Sequence, residues 1–148
     1  RQVDFVMNIA GSGDYEEELK RQIRERGLGA RINFMGEIAH GQIPAFWERQ
    51  DICISCSEWE GHSISHSEAM AAGAVPVLTD TSGAGDDVEE GVNGYVAAVG
   101  DVEALAEHIR HLHEHRELLC RMGNRSMEKI RTRNRKTESG EYWKALLE

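Results

Sequence analysis

Short apolar runs of strand character alternate along this chain with segments of helical periodicity, and that alternation leaves few folds open. Residues 3–10, 31–35, 51–55, 74–79 and 95–97 read as five strands, each ended by a glycine, a turn or a polar loop. The first intervening helix carries Leu19, Ile23 and Leu28 on its apolar face, with Gly27 as its stop. Residues 42–50 form a short helix with Pro44 in its first turn, 65–72 a helix of small residues, and the segment up to Glu90 a short acidic one. Gly91-Val92-Asn93-Gly94 is a turn signal before the last strand. Two helices close the pattern. Residues 101–115 have Asp101 as N-cap and Leu105, Ile109 and Leu112 as a stripe; residues 117–133 have Gly123 weakening their middle. Strands joined through helices return parallel, and a parallel sheet needs cover on both faces. The expectation is an α/β fold: one doubly wound domain over residues 1–148, a parallel sheet of about five strands with helices on both faces. Residues 138–148, with Tyr142, Trp143, Leu146 and Leu147, read as a C-terminal docking helix.

Composition narrows the function. No apolar run approaches the roughly 20 residues a bilayer span needs, and the opening Arg1-Gln2-Val3-Asp4 is no secretory leader. A start in mid-strand without Met reads as a piece of something longer. Three cysteines without a framework point to a reducing compartment, so a cytoplasmic protein. Cys53 and Cys56 form a C-x-x-C, but no second pair completes a metal site, and the reading is of buried, inert thiols.

The net charge of −9 is unevenly spread. Residues 1–109 carry 7 Lys/Arg against 20 Asp/Glu, and residues 110–148 carry 10 against 6. No Lys or Arg lies between Arg49 and Arg110. That gap excludes a nucleic-acid face, which needs clustered cations. It also dictates how a small anion would be held on the stretch 57–73. The charge must be met by backbone N–H groups, a helix dipole, a histidine, or a cation from elsewhere in sequence.

That stretch, Ser57-Glu58-Trp59-Glu60-Gly61-His62-Ser63-Ile64-Ser65-His66-Ser67-Glu68, leaves one strand and enters a helix, where α/β proteins bind anions. Each acidic residue also has a bland reading. Ser65-x-x-Glu68 has the spacing of a capping box, with Glu68 serving the Ser65 N–H. Glu60 reads equally as a solvent-exposed loop carboxylate. Gly11-Ser12-Gly13 opens like a dinucleotide fingerprint, but the third glycine position is Glu16. The turn is read instead as part of a cleft rim, with Gly11 and Gly13. His108, His111, His113 and His115, with Glu107, have i, i+3 and i+4 spacings that suit a metal, but helix-surface histidines are the plainer account. The basic run 131–136 reads either as a contact with an anionic membrane or as a solvated helix end.

Glu60-Gly61…Glu68-Ala69-Met70-Ala71…Gly73-x-x-Pro76-Val77 resembles the Glu-x7-Glu signature of retaining GT-B glycosyltransferases of family 4. Ile9 to Gly13, Phe34-Met35-Gly36, residues 51–55, Ser82-Gly83, Gly91 to Gly94 and Asp101…Leu105-Ala106 resemble its other landmarks, in order. The resemblance covers nearly all of residues 5–148. It implies the C-terminal, nucleotide-sugar-binding half of such an enzyme, Rossmann-like in fold, with an acceptor-binding N-terminal domain supplied by sequence outside this chain. It implies that Glu68 holds the donor ribose and that Glu60 lies against the transferred sugar as the catalytic residue. Gly61, His62, Ser63, Ile64 and Ser65 would face the sugar and diphosphate. Gly36, Glu37, Ile38 and Ala39 would read the base through their backbone. It also implies a hexosyl transfer from a nucleotide-diphosphate sugar without metal or other cofactor. The acceptor would be a sugar or a lipid-linked sugar at the cytoplasmic face of a membrane, as in polysaccharide biosynthesis. The fragment alone would be inactive, because the family's Arg/Lys pair for the diphosphate belongs upstream of Arg1.

Two departures stand out. His62-Ser63-Ile64-Ser65-His66 replaces an aromatic-glycine-apolar-Pro run, and Asp86 stands at the donor end of the cleft where the family often has glutamate. Two rivals remain: a nucleotide-sugar 2-epimerase sharing the GT-B halves, and a non-catalytic Rossmann-like binding module.

Overall fold

Among the described residues five strands form, all paired in parallel, two in one sheet and three in another. The structure is a computed structural model describing residues 3–61, 63–81 and 84–138. Two compact units are distinguished, residues 1–43 and residues 44–148.

In the first unit β1 (Met7–Ala10) pairs with β2 (Ile32–Gly36), joined by helix α1 (Glu16–Glu25). β1 is shorter than the apolar run suggested. Val3 to Val6 carry strand-like side chains but lie outside the ladder, which begins where Met7 meets Ile32. Helix α1 buries Ile23 and ends as its sequence dictates: the Gly27 N–H donates to the Arg24 carbonyl, Leu28 N–H to that of Ile23, and Gly27 adopts φ +68°. Its outer face is laced by ion pairs from Lys20 to Glu16 and Glu17 and from Arg21 to Glu18 and Glu25.

The second unit is built around β4 (Val75–Thr79), whose five residues are all buried. β4 lies between β3 (Ile52–Ser55) and β5 (Tyr95–Ala97), in register Ile52↔Val75 and Val77↔Tyr95. Because strand side chains alternate, β4 offers two faces. Val75 and Val77 join Tyr95, Ala97, Leu105, Leu112, Leu119 and Met122 in one core, supplied by α5 (Val102–Glu114) and α6 (Arg116–Glu138). On the other face Leu78 packs with Val88 and Val96, while Cys53 packs with Trp47 from α2 (Ile43–Trp47), Ala69 from α3 (Ile64–Ala71) and Ala74 just ahead of β4. Helices thus cover both faces of this sheet, as parallel strands require. A 3-10 turn, His40–Gln42, precedes α2, which is shorter than the helix expected over 42–50.

Asp101 caps α5 by accepting from the Ala104 N–H at 2.9 Å, and Leu105 and Leu112 of the expected stripe are buried. The expected acidic helix shrinks to α4 (Ala84–Asp87), and Glu90 instead bridges Gly94 ahead of β5. Gly123 costs α6 helix propensity but has a packing reason. A Cβ there would stand 2.4 Å from the Gly73 carbonyl oxygen, so only glycine lets α6 lie on the end of α3. The docking helix expected over 138–148 lies, past residue 138, outside the described residues.

Candidate functional site

The loop between β3 and α3 is tied down at its start. The Thr79 hydroxyl, buried at the end of β4, donates to the Ser57 carbonyl at 2.6 Å. Ser55 and Ser57 hydroxyls lie 3.1 Å apart, and the Ser57 Oγ donates to Glu60 Oε2 at 3.2 Å. Glu60 is therefore half-buried and held, not a freely solvated loop carboxylate.

The capping-box reading of Glu68 is overturned. A capping box needs its serine at the N-cap, outside the helix, and its glutamate at the third helical position. Helix α3 starts at Ile64, so Ser65 is already helical, the N-cap is Ser63, and the third position is His66. Ser63 has the extended backbone of an N-cap (φ −79°, ψ 117°), yet no side chain caps the helix. Among the described residues, no acceptor takes the N–H of Ile64 or Ser65, and the Glu68 carboxylate makes no hydrogen bond or ion pair. Two amides of exposed residues, without an acceptor among the described residues, and a half-buried carboxylate one turn further along share the first two turns of one helix.

Behind α3 a second arrangement was not foreseen. Asp87, at the end of α4, is only 7% exposed, and Arg133 from α6 pairs with it. The same guanidinium donates through Nη2 to the Ser67 Oγ at 3.1 Å, and that hydroxyl reaches back to the Ser63 carbonyl at 3.4 Å. Asp86, exposed, precedes Asp87 directly. Asn93, almost fully buried, organises the following turn: its Oδ1 accepts from the Glu89 N–H at 2.7 Å and its Nδ2 donates to the Asp87 carbonyl at 2.9 Å. The buried Ser126 hydroxyl then donates to the Asn93 carbonyl at 2.7 Å.

In the first unit the ends of β1 and β2 meet. The Gly11 N–H donates to the Gly36 carbonyl at 2.7 Å, and the Ser12 hydroxyl donates to Glu37 Oε1 at 3.1 Å. Gly11, Ser12, Gly36 and Glu37 thus form one cluster, with Gly13, Ile38 and Ala39 continuing its two strands of loop. Gly36 adopts φ +63°, which a side chain would oppose just where the chain turns out of β2.

Several sequence expectations are corrected here. Cys53 is buried, and burial pushes its thiol up to about 12, but Cys56 is exposed, because Ser55 ends β3 and turns the chain into the loop. His108 stacks on the buried Tyr95 ring at 4.4 Å, and Tyr95 also meets the His111 edge at 6.3 Å. Among the described residues no three His, Cys, Asp or Glu side chains are grouped to hold a metal. The run 131–136 is not simply a solvated helix end, since Arg133 points at Asp87 and Ser67; the side chains of 134–136 lie outside the described residues. His62 and the Ser82-Gly83 landmark also lie outside them. No helix among the described residues is long and apolar enough to cross a membrane.

Within the second unit the structure therefore brings together Glu60 with Ser57, and Ser63, Ile64, Ser65 and Glu68 on one short helix. Sequence reading missed Arg133, Asp87 and Asn93. The one available signal was the cation gap between Arg49 and Arg110, which required any buried carboxylate there to find its partner far along the chain.

Comparison with known proteins adds four findings. The family model described as "Glycosyl transferases group 1" matches residues 1–129. The chain is 34% identical over 95 residues to the lipopolysaccharide core biosynthesis mannosyltransferase LpsB of Rhizobium meliloti, covering 63% of this chain and 26% of that protein. It is 32% identical over 108 residues to the amylovoran biosynthesis glycosyltransferase AmsK of Erwinia amylovora, covering 69% and 26% respectively. Among solved structures, Anabaena HepE in complex with UDP-glucose superposes with a TM-score of 0.79 at 27% identity, over 86% of this chain and 36% of that one. The chain spans about a quarter of the length of these curated relatives.

Proposed function

The chain belongs to the glycosyl transferases group 1 family, and from that premise we propose that it is the donor-binding half of a retaining hexosyltransferase. The observation that carries this is local to α3: uncapped Ile64 and Ser65 amides stand one turn before a Glu68 carboxylate that no cap consumes. A diphosphate meets the amides and the helix dipole. Glu68 accepts from the two vicinal ribose hydroxyls, a charge-assisted bidentate contact. Glu60, held by Ser57, orients the hydroxyls of the transferred sugar, flanked by Gly61 and His62. In the first unit the backbone of Gly36, Glu37, Ile38 and Ala39 reads the base, with Gly11 and Gly13 on the neighbouring loop; in the second unit Asp86 stands at the donor end.

Departure of the nucleoside diphosphate is then helped by electrostatic stabilisation of its growing charge, not by a covalent nucleophile. The reading requires no metal, so chelator leaves turnover of the full-length protein unchanged. The acceptor, and the remaining cations for the diphosphate, belong to an N-terminal domain. HepE is described with UDP-glucose and LpsB is named a mannosyltransferase, which supports a nucleotide-sugar donor and a hexose as the transferred group.

The test is titration of UDP, GDP and ADP, with Glu68→Ala alongside, read by calorimetry and by amide shifts. One nucleotide binds, amides 36–39 and 60–68 shift, and Glu68→Ala loses about tenfold or more in affinity, as removal of a charge-assisted bidentate contact should. Silence from those amides with all three nucleotides would instead favour the non-catalytic module.

A further inference from the structure

The Arg133 contacts have a geometry that ordinary helix docking does not require. Helix α6 already packs along α3, and its Gly123 meets the Gly73 carbonyl just past the α3 C-terminus. Met127 packs beside the same glycine. With Ala69 and Met70 fully buried, the C-terminal half of this eight-residue helix is anchored, whereas its first turn, with Ile64 and Ser65 exposed, is the end left to be fixed. Arg133 supplies a second attachment, ten residues further along α6. Its guanidinium engages Ser67 on α3 and Asp87 on α4 together, and Ser67 passes the contact on to the Ser63 carbonyl at the helix start.

We propose that Arg133 is a positioning residue that fixes the first turn of α3 against α4 and so sets the diphosphate-receiving amides in place. The inference rests on the donor-binding reading above. At 1.5 Å per residue, the Ser65 amide lies about 12 Å from the Gly73 pivot and Glu68 only about 7.5 Å. A swing about Gly73 therefore displaces the diphosphate end of the site more than the ribose end. Arginine suits the task because its planar fork reaches two partners at once, which a lysine ammonium cannot do in a fixed geometry. The cation gap from Gln50 to Ile109 means that any arginine or lysine serving Asp87 comes from outside that segment.

The experiment uses the full-length protein and compares wild type, Arg133→Met, Arg133→Lys and Arg116→Met. The last removes only the exposed Arg116–Asp51 pair. Each is titrated with the preferred nucleoside diphosphate and with the matching nucleoside that lacks phosphates. Positioning predicts that Arg133→Met weakens the diphosphate about tenfold and the nucleoside by less than about threefold, with Arg133→Lys between and Arg116→Met unchanged. A purely structural role instead lowers the bound fraction and leaves both dissociation constants as in wild type, which overturns the proposal. If Arg133→Met does not fold, Arg133→Lys decides by the same ratio of diphosphate to nucleoside. Should Glu68→Ala abolish binding while the Arg133 variants bind normally, this inference falls and the donor-binding reading stands. Should wild type bind no nucleoside diphosphate, both fall.

Discussion

Glu68 and Cys53 show how a single residue's surroundings separate structural from functional roles. Had Glu68 capped α3, its removal would cost about 1 kcal/mol of stability. Because it caps nothing among the described residues, Glu68→Ala is expected to leave the unfolding free energy within about 0.5 kcal/mol in a denaturant titration, while nucleotide affinity falls. Cys53 makes a pH prediction. Its thiol is raised by burial to about 12, so the folded state keeps a proton that the unfolded chain releases. The sign follows from linkage: the contribution is complete below the ordinary thiol value of about 8.5 and is lost as pH climbs toward the folded value. Wild type should lose up to about 1.4 kcal/mol per pH unit more than Cys53→Ala across that window. Parallel denaturation curves at pH 8 and 10 check it, and equal slopes for the two proteins would refute it. Residue identity alone suggested a buried Cys53 but could not separate it from Cys56, because burial changes within three positions as β3 becomes loop.

At the scale of elements, the contact between α3 and α6 makes the sharpest prediction. Gly123→Ala should gain about 1 kcal/mol from helix propensity in isolation. Here the new methyl meets the Gly73 carbonyl oxygen, so we expect a net loss of about 1–3 kcal/mol, read as a lowered melting temperature. Asp101, Gly27 and the stripe of Leu105 and Leu112 were legible in sequence because caps and periodicities act within one or two turns. The start of α3 was not. Ser63 and Ser65 are equally good caps by composition, and only the backbone, helical from Ile64, chooses between them. Val3 to Val6 likewise have strand character without a partner to pair with, since pairing is a property of two segments.

For the molecule as a whole, strand–helix alternation made the parallel α/β class readable, whereas the division into two-stranded and three-stranded sheets depends on edges that sequence does not label. Long-range pairs were equally hidden: Arg133 and Asp87 are 46 residues apart, and Asn93 meets Ser126 across 33. Binding of a ligand to the folded state alone adds stability by mass action, about 2.7 kcal/mol at a hundredfold excess over its dissociation constant. The preferred nucleoside diphosphate should therefore raise the melting temperature of wild type, and at the same concentration stabilise Glu68→Ala by at most about half as much, as thermal melts with and without nucleotide would show.

The central strand of the second unit has an outcome during synthesis. Val75 and Val77 are covered by Leu105, Leu112, Leu119 and Met122, all of which leave the ribosome later. A nascent chain paused before residue 105 presents a β-branched ribbon without the helices that cover it, the sort of surface that chaperones hold and that aggregates when they do not.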